Sequence, residues 1–254
     1  MGRIKKILVS QPQPENAKSP YFDLAEKHNL KVDFRPFIHV EGISAKEFRQ
    51  DKVDFSSHTA VIFTSKTAID HFFRIAEETR QPVSDDMKYF CVSEATAYYL
   101  QKYIVYRKRK IFYGNGKIDD LMNVMAKHKD EMFLLPLSAA HKEEIPKLLD
   151  KHKYKYTKTI LYKTQCSDLS DLADVNYDIL VFYSPSGIKS LFKNFPDFKQ
   201  NNTKIASFGT KTARAAEEAG LRLDIKAPHP QAPSMTMAIE NYILEYKKNN
   251  GKAN

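Results

Sequence analysis

What this chain of 254 residues lacks narrows its class before any motif is read. It has two cysteines, Cys91 and Cys166, too few for a disulfide framework or a zinc site built of thiolates. Each sits in or beside an apolar run, so both read as packing residues. No apolar run approaches the roughly 18 residues that a membrane-spanning helix needs. The amino end, Met1-Gly2-Arg3-Ile4-Lys5-Lys6-Ile7-Leu8-Val9, turns polar at Ser10-Gln11-Pro12, too early for a secretory signal. These absences predict a soluble, cytoplasmic protein. Missing too are the zinc-protease HExxH string, the dinucleotide GxGxxG, the P-loop and the GxSxG elbow.

What remains is ordinary globular material. Hydrophobic residues make up 42% and charged residues 28%, which excludes wholesale disorder and fibrous classes. The length suits one large domain or two modest ones, and two of about 120 residues could each bury about two thirds of their unfolded surface. Lys and Arg number 40 against 31 Asp and Glu, a formal charge of +9. Part of that excess lies in Lys247-Lys248-Asn249-Asn250-Gly251-Lys252, which reads as a frayed end. The rest favours an anionic partner, either nucleic acid or a small polyacid.

Periodicity predicts the elements. Ile7 to Val9, Leu30 to Phe34, Thr59 to Phe63, Tyr89 to Val92 and Met132 to Leu135 read as strands. Tyr156 to Tyr162, Ile179 to Tyr183 and Lys204 to Phe208 read likewise. Between them lie apolar stripes at helical spacing: Tyr21, Leu24, Ala25 and His28; Ile69, Phe72, Phe73 and Ala76; Ile188, Leu191, Phe192 and Phe195. Ala95 to Tyr103, His141 to Lys151 and Thr212 to Ala219 read as helices, with a turn at Pro136 and a helix stop at Gly220. Ile239, Tyr242, Ile243 and Tyr246 close the chain with another amphipathic helix. Strands alternating with helices predict parallel sheets covered on both faces. The class is α/β.

An internal repeat organises these elements. Val61-Ile62-Phe63-Thr64-Ser65-Lys66-Thr67-Ala68-Ile69 returns as Leu180-Val181-Phe182-Tyr183-Ser184-Pro185-Ser186-Gly187-Ile188. Downstream of each copy, Phe90-Cys91-Val92-Ser93-Glu94-Ala95-Thr96-Ala97 answers to Ala206-Ser207-Phe208-Gly209-Thr210-Lys211-Thr212-Ala213. Two similar domains are the natural product.

In a parallel sheet the ligand crevice lies beyond the carboxyl ends of the strands, where these turns sit. Each turn leads into a helix amino terminus with free N–H groups and partial positive charge. The small hydroxyl residues Ser65, Thr67, Ser184, Ser186, Thr210 and Thr212 let a ligand reach the backbone, a cradle suited to carboxylates or phosphates. The competing reading is that they only cap helices, contributing about 1 kcal/mol each. Capping alone does not require the turns to recur in pairs.

Other constellations are thin. His28, His128, His141 and His152 lie on charged helical stretches and are expected to be solvated, and His229 sits in a Pro-rich loop. Tyr106-Arg107-Lys108-Arg109-Lys110 looks like a nucleic-acid patch but reads better as a solvated strand edge, which cations protect from pairing. No stacking platform accompanies it.

At the turns, the sequence resembles the uroporphyrinogen-III synthase family. Phe182-Tyr183-Ser184-Pro185-Ser186-Gly187 is similar to the family's aromatic-Ser-Pro-Ser-Gly/Ala turn, and Phe208-Gly209-Thr210-Lys211-Thr212-Ala213 to its Ile-Gly-x-Thr-Thr-Ala element. Ala227-Pro228-His229-Pro230-Gln231-Ala232-Pro233 continues like its Pro-rich loop. Phe63-Thr64-Ser65 and Tyr162-Lys163-Thr164 are similar to its Phe-Thr-Ser and interdomain Tyr-x-Thr elements. Two departures stand out. The first strand ends Ser10-Gln11 where the family has Thr-Arg, and Ser93-Glu94 places a carboxylate in a turn that should welcome an anion. Lys66 and Lys211 stand where the family often has Pro, restoring positive charge.

The resemblance implies two similar parallel-sheet α/β/α domains joined by two extended crossovers. One domain would be residues 1–37 plus 167–254, the other 40–163, with crossovers at 37–42 and 160–167. It implies a cofactor-free, metal-free, monomeric lyase of haem biosynthesis that acts on neither nucleic acid nor membrane. Its substrate would be hydroxymethylbilane, a linear tetrapyrrole with eight carboxylates. The reaction loses water, inverts the last pyrrole ring through a spiro intermediate and closes the macrocycle. Tyr162 would assist departure of the hydroxyl. Thr64, Ser65, Lys66, Thr67, Thr96, Ser138, Ser184, Pro185, Ser186, Gly187, Thr210, Lys211 and Thr212 would bind the substrate. The alternative is a non-catalytic two-lobed binding protein for a small polyanion, using the same turns.

Overall fold

The structure, a computed structural model, describes residues 3–15, 18–173 and 176–251. It divides into two compact units, one of residues 1–39 with 165–254, the other of residues 40–164. Strand β1 (Lys6–Val9), helix α1 (Pro20–His28) and strand β2 (Lys31–Phe34) open the first unit. Helix α1 starts where its chemistry says it should: the Ser19 hydroxyl accepts the Tyr21 N–H, and Pro20 occupies the first turn, where no N–H is needed. Asn29 ends it in the left-handed region.

The second unit follows. It runs through β3 (Ile38–Gly42), α2 (Ala45–Gln50), β4 (Ala60–Phe63), α3 (Lys66–Thr79), β5 (Lys88–Cys91) and α4 (Glu94–Tyr99). It continues through β6 (Ile111–Tyr113), α5 (Ile118–Met125), β7 (Met132–Ser138), α6 (Glu144–Lys151) and β8 (Lys155–Cys166). Its sheet has the order β3-β8-β7-β4-β5-β6, and the β7–β8, β4–β7, β4–β5 and β5–β6 ladders are parallel. Along β4 the side chains alternate between the two faces: Val61 and Phe63 join Phe72 and Ile75 of α3, whereas Ala60 and Ile62 join Leu121 and Met125 of α5. A strand buried on both faces in this way is why its sequence is continuously apolar.

The chain then returns to the first unit with β9 (Ile179–Phe182), α7 (Pro185–Asn194), β10 (Lys204–Phe208), α8 (Thr210–Glu218), β11 (Leu223–Ala227) and α9 (Met235–Gly251). The sheet order is β11-β10-β9-β1-β2, all parallel. Gly220 stops α8 at φ 77°; its N–H bonds the Glu217 carbonyl while Leu221 N–H bonds that of Ala216. These two bonds satisfy carbonyls that the helix end would otherwise leave open.

Several expectations need correction. Pro136 makes no turn: it lies inside β7, opposite Thr159 of β8. The β4 ladder ends at Leu134, so a residue without an N–H costs nothing on that side. Residues 106–110 are not a strand edge: 108–110 form a turn before the edge strand β6, and Lys110 is bonded to Asp86. Lys247 to Gly251 continue α9 and are not frayed, while Lys252 lies outside the described residues. His28 is buried, its Nε2 3.0 Å from Glu240 of α9. His128 packs 4.5 Å from the Phe112 ring, and His141 bonds Glu143; His152 and His229 are exposed. Cys91 is buried in the core as expected, and Cys166 is half-buried. Strands β3, β6 and β11 and helices α2 and α5 were not among the expected elements, although Ile118, Leu121, Met122 and Met125 of α5 stand at helical spacing and β11 alternates.

Candidate functional site

In the second unit the carboxyl ends of β4 and β7 and the interior of β8 bring three expected residues together. Ser65 follows β4 and caps α3, its Oγ accepting the Ala68 N–H at 3.1 Å. Ser138 ends β7 in register with Tyr162 of β8, and the Ala139 N–H donates to the Tyr162 carbonyl at 2.9 Å. The half-buried Tyr162 places its hydroxyl 3.3 Å from Ser65 Oγ. A serine that accepts a cap bond still has its own proton to give, so this pair can present a donor to a ligand. Thr64 and Thr67 flank it half-buried, and Lys66 is exposed, its ammonium 5.3 Å above the Tyr99 ring.

The neighbouring turn of that unit is built alike. Ser93 caps α4, its Oγ accepting the Thr96 N–H and lying 3.0 Å from the Thr96 hydroxyl. Thr96 is 6% exposed, so its hydroxyl serves the turn. The out-of-pattern Glu94 is engaged: the Tyr113 hydroxyl donates to its carboxylate at 3.0 Å.

In the first unit, Ser184 caps α7 by accepting the Gly187 N–H at 3.2 Å. Pro185 and Ser186 are exposed, whereas Gly187 is packed so closely that a Cβ would lie 3.3 Å from Phe182 and 3.6 Å from Ser10 Oγ. Ser10, at the end of β1, thus belongs to this turn. The fourth turn has no side-chain cap; Gly209, at φ 84°, leads directly into α8. There Thr210 and Lys211 are exposed, but Thr212 is 2% exposed and faces the core. Capping therefore accounts for the Ser65 and Ser184 hydroxyls as acceptors, and packing accounts for Thr212.

Two groups went unread in the sequence. The Tyr21 and Tyr183 hydroxyls lie 2.7 Å apart beside the Ser184 turn, and burial raises both phenols above the usual range. The His71 ring of α3 stacks on Tyr162, centroids 5.2 Å apart and planes 15° apart. Burial and the nearby Arg74 guanidinium hold its imidazole below the usual range, outweighing Asp70 and Glu78. Thr67, His71, Arg74 and Glu78 recur at helical spacing, a signal that was available. A cavity of about 680 Å³ in the first unit is lined by Tyr177, Asn194, Gln200 and Thr203, among others. It lies at the amino ends of β9 and β10, opposite the turns. Among the described residues no cluster of His, Cys, Asp or Glu could hold a metal ion, and no helix is long and apolar enough to cross a membrane.

Known proteins supply the comparison. The Uroporphyrinogen-III synthase HemD family profile matches residues 19–237. A curated uroporphyrinogen-III synthase of Chlorobaculum parvum is 24% identical over 255 residues, covering 93% of this chain and 98% of that protein. Among solved structures, the fold is similar to uroporphyrinogen-III synthetase from Helicobacter pylori, with a TM-score of 0.58, 16% identity, and coverage of 95% of this chain and 100% of that one. It is similar also to a mutant uroporphyrinogen III synthase from Thermus thermophilus, with a TM-score of 0.52, 13% identity, and coverage of 95% and 99%. With a family match running from the first helix into the last, this chain belongs to the uroporphyrinogen-III synthase family.

Proposed function

We propose that this chain converts hydroxymethylbilane to uroporphyrinogen III as a cofactor-free cyclising lyase, working as a monomer in the cytoplasm. The observation that carries the reading is the Tyr162 hydroxyl, 3.3 Å from Ser65 Oγ at the start of α3. The reaction is redox-neutral: a hydroxyl leaves as water, a carbon–carbon bond closes the ring, and the last pyrrole is inverted. The departing hydroxyl needs a proton or a strong hydrogen bond. The Tyr162 phenol supplies it as a donor, aimed by Ser65. The substrate closes unaided to the wrong isomer, so the greater task is imposing a conformation, which positioning accomplishes without a metal or a strong acid.

Carboxylates suit the free N–H groups and partial positive charge at the starts of α3, α7 and α8. The residues assigned to hold them are Thr64, Ser65, Lys66, Thr67, Thr96 and Ser138 in one unit and Ser184, Pro185, Ser186, Gly187, Thr210, Lys211 and Thr212 in the other. Thr96 and Thr212, being buried, would act by shaping their turns. The net charge of +9 favours such an anionic substrate.

Purified protein incubated with freshly generated hydroxymethylbilane should yield the type III isomer. Recovery of the unaided isomer alone would reduce the chain to a polyanion-binding protein. Tyr162→Phe should fold normally and form the type III isomer about tenfold or more slowly. An unchanged rate and isomer ratio would remove Tyr162 from the mechanism.

A further inference from the structure

We infer that Arg74 and His71 are positioning residues that aim the Tyr162 hydroxyl, an inference that rests on Tyr162 acting in the reaction. Arg74 spends its guanidinium on four partners. Its Nε–H donates to His71 Nδ1 at 3.1 Å, and Nη1 donates to Glu78 at 2.8 Å. Its Nη2 donates to the carbonyls of Ile43 at 2.9 Å and Leu161 at 3.4 Å. A guanidinium can only donate, so His71 Nδ1 must accept. The imidazole is therefore neutral, carries its proton on Nε2 and cannot spin about its ring axis without breaking that bond.

Leu161 immediately precedes Tyr162. One guanidinium thus grips the backbone leading into Tyr162 and also orients the ring on which Tyr162 stacks. The phenol is fixed along its chain and across its face, leaving its hydroxyl directed at Ser65. The groups facing His71 are Asp70, Arg74 and Glu78 of its own helix and Tyr162 of β8. Gly42 completes the clamp: a Cβ there would lie 2.6 Å from Arg74 Nη2, so any side chain must displace the guanidinium.

The test compares His71→Ala, His71→Phe and Gly42→Ala in the wild-type and Tyr162→Phe backgrounds, with circular dichroism to confirm folding. His71→Ala should lower kcat for the type III isomer about tenfold while KM stays within about twofold, since only orientation is lost. His71→Phe, which keeps a stacking plane but offers Arg74 no acceptor, should recover only part of that rate. Gly42→Ala leaves His71 in place yet unhooks Arg74, and should shift the Tyr162 resonance in a spectrum of ring-labelled tyrosine, assigned by its loss in Tyr162→Phe. In the Tyr162→Phe background neither His71→Ala nor Gly42→Ala should slow the reaction further, because no hydroxyl remains to be aimed. Equal losses in both backgrounds, or no loss in either with the resonance unmoved, would overturn the inference. If Tyr162→Phe alone leaves rate and isomer ratio intact, the proposed role of Tyr162 fails instead.

Discussion

The Oγ of Ser65 serves two partners at once, accepting the Ala68 N–H at 3.1 Å and lying 3.3 Å from the Tyr162 hydroxyl. One atom therefore caps a helix and meets the phenol proposed for the chemistry. The two roles separate on mutation.

Ser65→Ala removes the cap and should cost about 1 kcal/mol of stability, read by chemical denaturation. It also removes the neighbour of Tyr162, so the rate of type III formation should fall at temperatures where the variant is fully folded. Ser65→Thr keeps an acceptor and a donor and should restore both. A stability loss with no rate loss would reduce Ser65 to a cap.

Lys66 and Lys211 each stand within the first turn of a helix and are exposed. Lys66→Glu and Lys211→Glu should raise KM for the polycarboxylate substrate and leave kcat nearly unchanged. Exposed charges act through screened water, so each effect should be modest, roughly fivefold or less, and should shrink as salt is added. Kinetics at two ionic strengths check this; a change confined to kcat would contradict simple carboxylate capture.

Asp70 anchors a polar knot on the outer side of α3. Partial burial pushes its carboxyl up, but the Tyr103, Lys102 and Tyr99 hydrogen bonds together outweigh it and hold the group below the usual carboxylate range. The unfolded chain then binds the proton more readily than the native one, so acid favours unfolding. The stabilisation should be fully present above about pH 5 and fade as pH falls through the lowered value. Denaturation of wild type and Asp70→Asn across that range should show a difference that vanishes in acid; a constant difference would assign the effect to packing.

Gly220→Ala places a Cβ at φ 77°, a region costly for side chains though no atom lies within 4 Å. Strain alone should lower stability by about 1 kcal/mol without touching activity. A variant as stable as wild type would mean that α8 can end another way.

The repeated turns were legible because helix capping is local. Ser65 and Ser184 sit three residues before the N–H groups they cap, and that spacing is written in the chain. Pro136 misled for the same reason: read locally it is a turn, yet the early end of the β4 ladder makes it tolerable inside β7. His28 misled because its helix looks charged, while Glu240, its partner, lies far along the chain on α9. The basic run ending at Lys110 likewise has a partner that its own stretch does not show, an aspartate from another loop.

The sequence by itself determined the α/β class, the strand–turn–helix repeat and the chemistry of the helix starts. Alternating apolar residues, stripes at helical spacing and capping hydroxyls act over a few residues and need no distant partner. Tertiary structure alone decided that Tyr162 meets Ser65, 97 positions away, and stacks on His71 of the same helix that Ser65 caps. That meeting depends on the order in which β8, β7 and β4 lie side by side. The apolar β4 and β7 carry no label saying which neighbour to choose, so the burial of the whole sheet sets the order and, with it, the place of Tyr162.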